Sequence, residues 1–302
     1  MRSRLKLVLG GLSLAALVTV AALPGLFSNY PRGYQDTLRS IEAPDGTVEW
    51  RFAPESPSDA YLFGTDNYGY DIHTRILWGL RWTLVCVFVV ALSRTLVGGT
   101  LGIARTLAFG KGGPVRSASP LAVIPSFVFV FFLIYPLTIN SPLGSRRLFL
   151  FQCAVMTMFD LGGIITSISL KTEAILKAPF VEGAVSCGAG RGWIARFHLL
   201  PFLAADLLEA FATQTVAVLQ LVGRLGVFSL FVGGTVMTLD PVILSSATGE
   251  IAGLIGQYRG RLQGAKWMLL YPLGTYLVVL GSLRLFVSGL HDQLKKLDSV
   301  FY

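Results

Sequence analysis

The stretch EGAVSCGAGRGWIARFHLLPFL, Glu182 to Leu203, decides the fold. It is rich in glycine and carries Arg191, Arg196 and His198. The chain around it is 53% hydrophobic and only 14% charged, with a mean hydropathy of +0.63. A soluble domain carries roughly 25% charged residues. The deficit predicts an all-α, polytopic membrane protein, with this stretch as a polar interruption between spans.

A spanning helix needs about 20 predominantly apolar residues. Six segments qualify: Leu7 to Phe27, Trp82 to Leu107, Ser117 to Asn140, Leu148 to Leu170, Pro201 to Met237 and Trp267 to Leu290. The first follows Arg2, Arg4 and Lys6, as a signal peptide would. Its apolar run is long and no small-x-small site follows, so a retained helix is expected. The fifth is too long for one straight span. Ser28 to Leu77 holds eight acidic residues and four arginines and reads as an aqueous excursion. It is too short and too polar to bury much core alone. The expected divisions are an N-terminal helix (1–27), an extracytoplasmic segment (28–78), a transmembrane core (79–290) containing the loop 171–200, and a tail (291–302).

The net charge of +8 suits basic loops on a bilayer protein better than nucleic-acid binding, because the cations are dispersed. With the N-terminus inside, the inner segments carry twelve Lys and Arg, Lys111 and Arg116 among them, against nine outside. That places both termini and the Glu182 stretch in the cytoplasm. Cys86, Cys153 and Cys187 form no CxxC pair and read as small buried hydrophobes. His73, His198 and His291 show no metal-ligand spacing, so no metal site is expected. A phosphate loop is also missing: FGKGGP, Phe109 to Pro114, lacks its spacing and its Ser or Thr.

Local chemistry shapes the loop. Lys171 to Lys177 favours helix, Pro179 can open a second one, and Glu182 then meets the positive helix end. Gly188 and Gly190 suit a turn between two short helices. Such a knob could grip a soluble partner; a plain interfacial loop is the alternative. Within spans, Arg94, Asp160 and Arg224 would each cost several kcal/mol facing lipid, and Arg94 with Asp160 is a candidate ion pair. Asp206 and Glu209 read as solvated interfacial groups. Pro125 and Pro136 interrupt the third span, and Gly223, Gly226, Gly233 and Gly234 mark the fifth; close packing is the expected role, with gating hinges as the alternative. Phe127, Phe129, Phe131 and Phe132 read as lipid-facing bulk.

The spacing Glu182-Gly183-Ala184, Gly188, then His198 and Leu200-Pro201 resembles the EAA signature of importer permeases in the ABC transporter superfamily. Gly183 and His198 depart from the family's alanine and isoleucine, and a histidine there is common in the peptide-importer branch. FGTDNYGYDIHTRILWGLRWTL, Phe63 to Leu84, resembles the segment before the second span of peptide and nickel permeases, with Gly64, Thr65, Asp66, Gly69 and Asp71 matching. FVSGLHDQLKKLD at the chain's end resembles the family's exit from the last span. Together these cover roughly residues 60 to 300 and resemble the second of the two related permeases of that family, the dipeptide and oligopeptide permease C type.

The resemblance implies a six-helix, type I importer permease that catalyses nothing itself. It implies a coupling helix near Ala178 to Arg191, a second permease chain, one or two ATPase subunits that hold ATP and Mg, and an extracytoplasmic substrate-binding protein. Peptides are the expected cargo, with nickel or a metal chelate as the runner-up. A membrane enzyme would need clustered catalytic groups, and a self-sufficient channel or secondary transporter typically shows internal repeats; neither pattern stands out.

Overall fold

The computed structural model describes residues 2–42, 48–110, 125–239 and 242–301. Helix α1 (Arg2–Ala22) and the short α2 (Pro24–Phe27) lead to an antiparallel hairpin, β1 (Leu38–Glu42) and β2 (Val48–Phe52), with Leu38 opposite Phe52. Then come α3 (Ile72–Phe109), α4 (Ser126–Thr138), α5 (Ser145–Met158) and α6 (Leu161–Leu176). Two short helices, α7 (Pro179–Ser186) and α8 (Arg191–Ile194), precede α9 (Leu200–Val227). A second hairpin, β3 (Thr235–Leu239) and β4 (Val242–Ser246), precedes α10 (Ile251–Tyr258) and α11 (Trp267–Phe301).

Four helical segments among the described residues are long and apolar enough to cross a membrane: Ser3–Ala22, Ile72–Phe109, Arg191–Val227 and Trp267–Lys296. The pair α5–α6, bent by 50°, makes a fifth if it is one span. With no hydrophobic force between helices in lipid, close backbone approach holds such bundles together. A Cβ on Gly10 would strike the backbone of Phe286, and one on Gly289 that of Leu7, so α1 and α11 lie antiparallel at glycine contacts. Gly102 gives α3 the same approach to α6 at Ile165 and Ile168. At 38 residues, α3 is roughly 57 Å long at 1.5 Å per residue and overshoots a hydrocarbon core of about 30 Å.

Several expectations need correction. The second span begins ten residues early, at Ile72, because Asp71 caps it: its carboxylate accepts from Thr74 N at 2.8 Å. Leu148 to Leu170 is not one helix. Phe159 turns extended and Asp160 adopts the left-handed region (φ 64°), so the chain kinks there. The fifth span stops at Val227, and Met237 lies in β3. Gly233 (φ 81°) and Gly234 (φ 124°) form the turn into that hairpin, not part of a span. Pro125 precedes α4, and only Pro136 interrupts it. The start expected for the third span, 117–124, lies outside the described residues, as do Lys111 and Arg116.

Among the four phenylalanines of α4, Phe127 and Phe131 pack on the core and Phe129 stacks on Phe159; Phe132 alone is mostly exposed. Cys187 is exposed, unlike Cys86 and Cys153. Asp206 pairs with Lys171 at 3.2 Å and Glu209 with His291, so neither is merely solvated.

Candidate functional site

The bundle has two polar ends. At one, which holds α7 and α8, helix α6 ends at Leu176, Ala178 turns extended and Pro179 opens α7 with Glu182 in its first turn. The helix closes through paired reverse bonds, Ala189 N to Ala184 O at 3.0 Å and Gly188 N to Val185 O at 2.9 Å. Gly188 sits at φ 88°, which a side chain would strain. Gly190 then caps α8. Pro201 has no N–H for the carbonyl four residues back, and the helix widens to a π turn over Ala195–Leu199 before α9.

Val181, Ile194, Leu199 and Leu203 bury against Ile103, Ile164 and Ile168, which fixes this knob on the ends of α3 and α6. Its other face is open. Phe180, Val185, Trp193, Phe197 and Phe202 are 45–57% exposed. Glu182, Gly183, Gly188, Arg191, Leu200 and Pro201 are exposed too, and Ala184 is half-buried. His198 lies between the rings of Phe180 and Trp193, at 5.7 and 5.0 Å, and its Nε2 is buried without a partner among the described residues. The face offers aromatic surface, one carboxylate, cations and close backbone approach, which is chemistry for holding another protein.

The opposite end gathers the Gly64 to Asp71 segment. Asp66 is fully buried. Its Oδ1 accepts from Tyr68 N and Tyr70 N, and its Oδ2 from Arg75 Nη1 at 2.7 Å and Tyr258 Oη at 2.8 Å. Gly64 (φ 74°) and Gly69 (φ 78°) make the turns this requires. Thr65 Oγ1 accepts from Glu55 N, and its carbonyl from Trp267 Nε1 at 3.2 Å. These residues tie α3, α10 and α11 together. Nearby, Glu250 caps α10 while fully buried, accepting from Ala252 N at 2.8 Å; burial pushes its carboxyl up to about 7.

Of the charges within spans, Arg94 is wholly buried. Its guanidinium donates to Met156 O at 2.7 Å and Gln214 Oε1 at 3.1 Å, and Nη2 lies 3.6 Å from Asp160 Oδ2. The kink at Asp160 thus frees a carbonyl and presents a carboxylate to one arginine. Arg224 is not brought to them. It lines a separate cavity of about 410 Å³ with Gln220, Gly223 and Tyr276. Arg284, an exposed arginine of α11, was passed over in the sequence, although a lone cation inside Trp267 to Leu290 was signal enough.

No protein-family model matches the chain. It is similar over most of its length to named transport permeases. The dipeptide transport system permease protein DppC of Alkalihalophilus pseudofirmus is 26% identical, over 80% of this chain and 73% of its own length. The oligopeptide transport system permease protein OppC of Haemophilus influenzae is 25% identical over 89% and 78%, and OppC of Escherichia coli K12 27% over 83% and 78%. The resemblance drawn from the Glu182 and Phe63 stretches therefore extends along the chain.

Proposed function

We propose that this chain is one permease subunit of an ATP-driven, binding-protein-dependent peptide importer of the bacterial inner membrane. It forms half of the translocation path beside a second permease. Helix α7, with Glu182, Ala184 and Gly188, docks into an ATPase subunit that holds ATP and Mg. The observation that carries this is the exposed aromatic and glycine face of α7–α8 on the buried base of Val181 and Ile194, within a chain similar over most of its length to peptide permeases. Because α3 and α6 end at the knob, a kick delivered to α7 by a closing ATPase reaches spanning helices directly.

Six crossings, with both termini and α7 inside, fit this reading: α3 ends at the knob end, and α4 ends beside the β3–β4 hairpin at the other, where Asn140 Nδ2 donates to Met237 O. Peptides are favoured over nickel because the relatives are named as peptide permeases.

A mild-detergent pulldown of tagged wild type and Gly188→Arg tests the assignment. A second permease and ATPases should come down with wild type. The mutant should lose the ATPases but keep the permease: its side chain meets open space, and the strain at φ 88° falls on the turn between α7 and α8, outside the spanning helices. A chain that comes down alone in both cases defeats the reading.

A further inference from the structure

At the end away from α7 lies an open cavity of about 580 Å³, between the segment after α2, the start of α3, the β3–β4 hairpin and α10. That volume is in the range of small-molecule sites. Its wall includes Arg32, Tyr68, Tyr70, Arg75, Trp78 and Gln257, and no carboxylate among the described residues.

Charge accounting narrows the ligand. Arg75 is already met by Asp66 at 2.7 Å. Arg32 is different: it is exposed, its guanidinium lies 5.7 Å over the Trp78 ring, and no carboxylate answers it among the described residues. One uncompensated cation suits one anionic group. The rest of the described wall is neutral, with the hydroxyls of Thr238, Ser245, Ser246 and Thr248 able to donate or accept. Gln257 spends its oxygen on Ser246 N at 3.1 Å, which leaves its NH₂ to donate. The indole N–H of Trp78 is buried without a partner among the described residues. The rings of Tyr68 and Trp78 offer flat apolar faces for a ligand's body.

We infer that this cavity binds the terminal carboxylate of a short peptide, with Arg32 as its counter-ion and Gln257 and the tyrosine hydroxyls as neutral donors. The choice of a peptide rests on the importer reading above; the preference for a carboxylate rests on the wall alone.

The test titrates the full chain, with whatever partners co-purify, in phosphatidylcholine nanodiscs. Calorimetry compares trialanine with trialanine amide. Trialanine should bind, and the amide at least tenfold more weakly. Arg32→Gln should weaken trialanine about tenfold and leave the amide unchanged. Gln257→Glu, which keeps the acceptor for Ser246 N but adds a negative charge, should weaken trialanine further still. Equal affinity for acid and amide, no binding to wild type, or an Arg32→Gln chain that binds trialanine normally would overturn the site. Normal trialanine binding by an Arg32→Gln chain that no longer supports uptake would assign the arginine to an acidic side chain of a docked protein instead. The pulldown keeps the two claims apart. ATPases without trialanine binding sink this site alone, and trialanine binding without ATPases sinks the importer assignment alone.

Discussion

The two polar ends of this bundle are built on opposite plans. Around Asp66, two backbone amides, Arg75 and Tyr258 converge on one buried carboxylate and satisfy both its oxygens, although Asp71 Oδ1 and the Trp78 indole N–H nearby are buried without a partner among the described residues. Around α7 and α8, a small buried base carries a large unfinished face of half-exposed aromatics. A buried network must satisfy itself, because an orphaned group there is costly. A surface meant for another chain must leave its groups unspent. On the importer reading, the contrast separates a structural anchor from a docking handle.

That contrast can be broken by mutation. The largest effect should come from Asp66→Ala, which strands Arg75 and Tyr258. Breaking a buried pair in this way costs about 3–5 kcal/mol, so the melting temperature in detergent should fall sharply and the protein should express poorly. Next is Glu250. Its carboxyl titrates near 7 when folded against an ordinary 4.5, so the folded state holds the proton more tightly. The stabilisation is fully present below pH 4.5 and is lost as pH rises through 7, about 3 kcal/mol at most. A thermal melt series from pH 5 to 8 should slope downward, and Glu250→Gln should flatten it. If the mutant keeps the slope, another group is responsible.

Gly79→Val should cost about 1–3 kcal/mol by overpacking, because its Cβ would strike the carbonyl of Gly249. The smallest stability effect is expected at the handle. Trp193→Ala, at a residue 49% exposed, should shift unfolding by less than about 1 kcal/mol, yet it should reduce ATPase recovery in the pulldown. A large loss of stability there would erase the distinction between anchor and handle.

Legibility followed the range of the signal. Pro179 opening α7 and Gly188 closing it are local backbone effects, and the sequence carried both. The β3–β4 hairpin was missed because Val236, Met237, Leu239, Val242 and Ile243 extend an apolar run, and such a run does not by itself distinguish strand from helix. Gly233-Gly234 and Asp240-Pro241 were the available turn signals. The kink at Asp160 had no proline to announce it; a carboxylate aimed at Arg94 from another helix is a tertiary fact. The same holds for the cavity beside Arg32, whose wall draws on four separated parts of the chain.

The glycine contacts between α1 and α11 have a consequence for how the protein is made. Helix α1 leaves the ribosome well before its partner: the surface that fits Gly10, at Phe286, is translated 286 − 10 = 276 residues later. At roughly 5–20 residues per second, the wait is on the order of tens of seconds. During that time α1, little buried by the rest of the fold, must stay upright in lipid or under the care of the insertion machinery. A ribosome stalled before α11 would therefore leave a bundle whose first helix is free to leave.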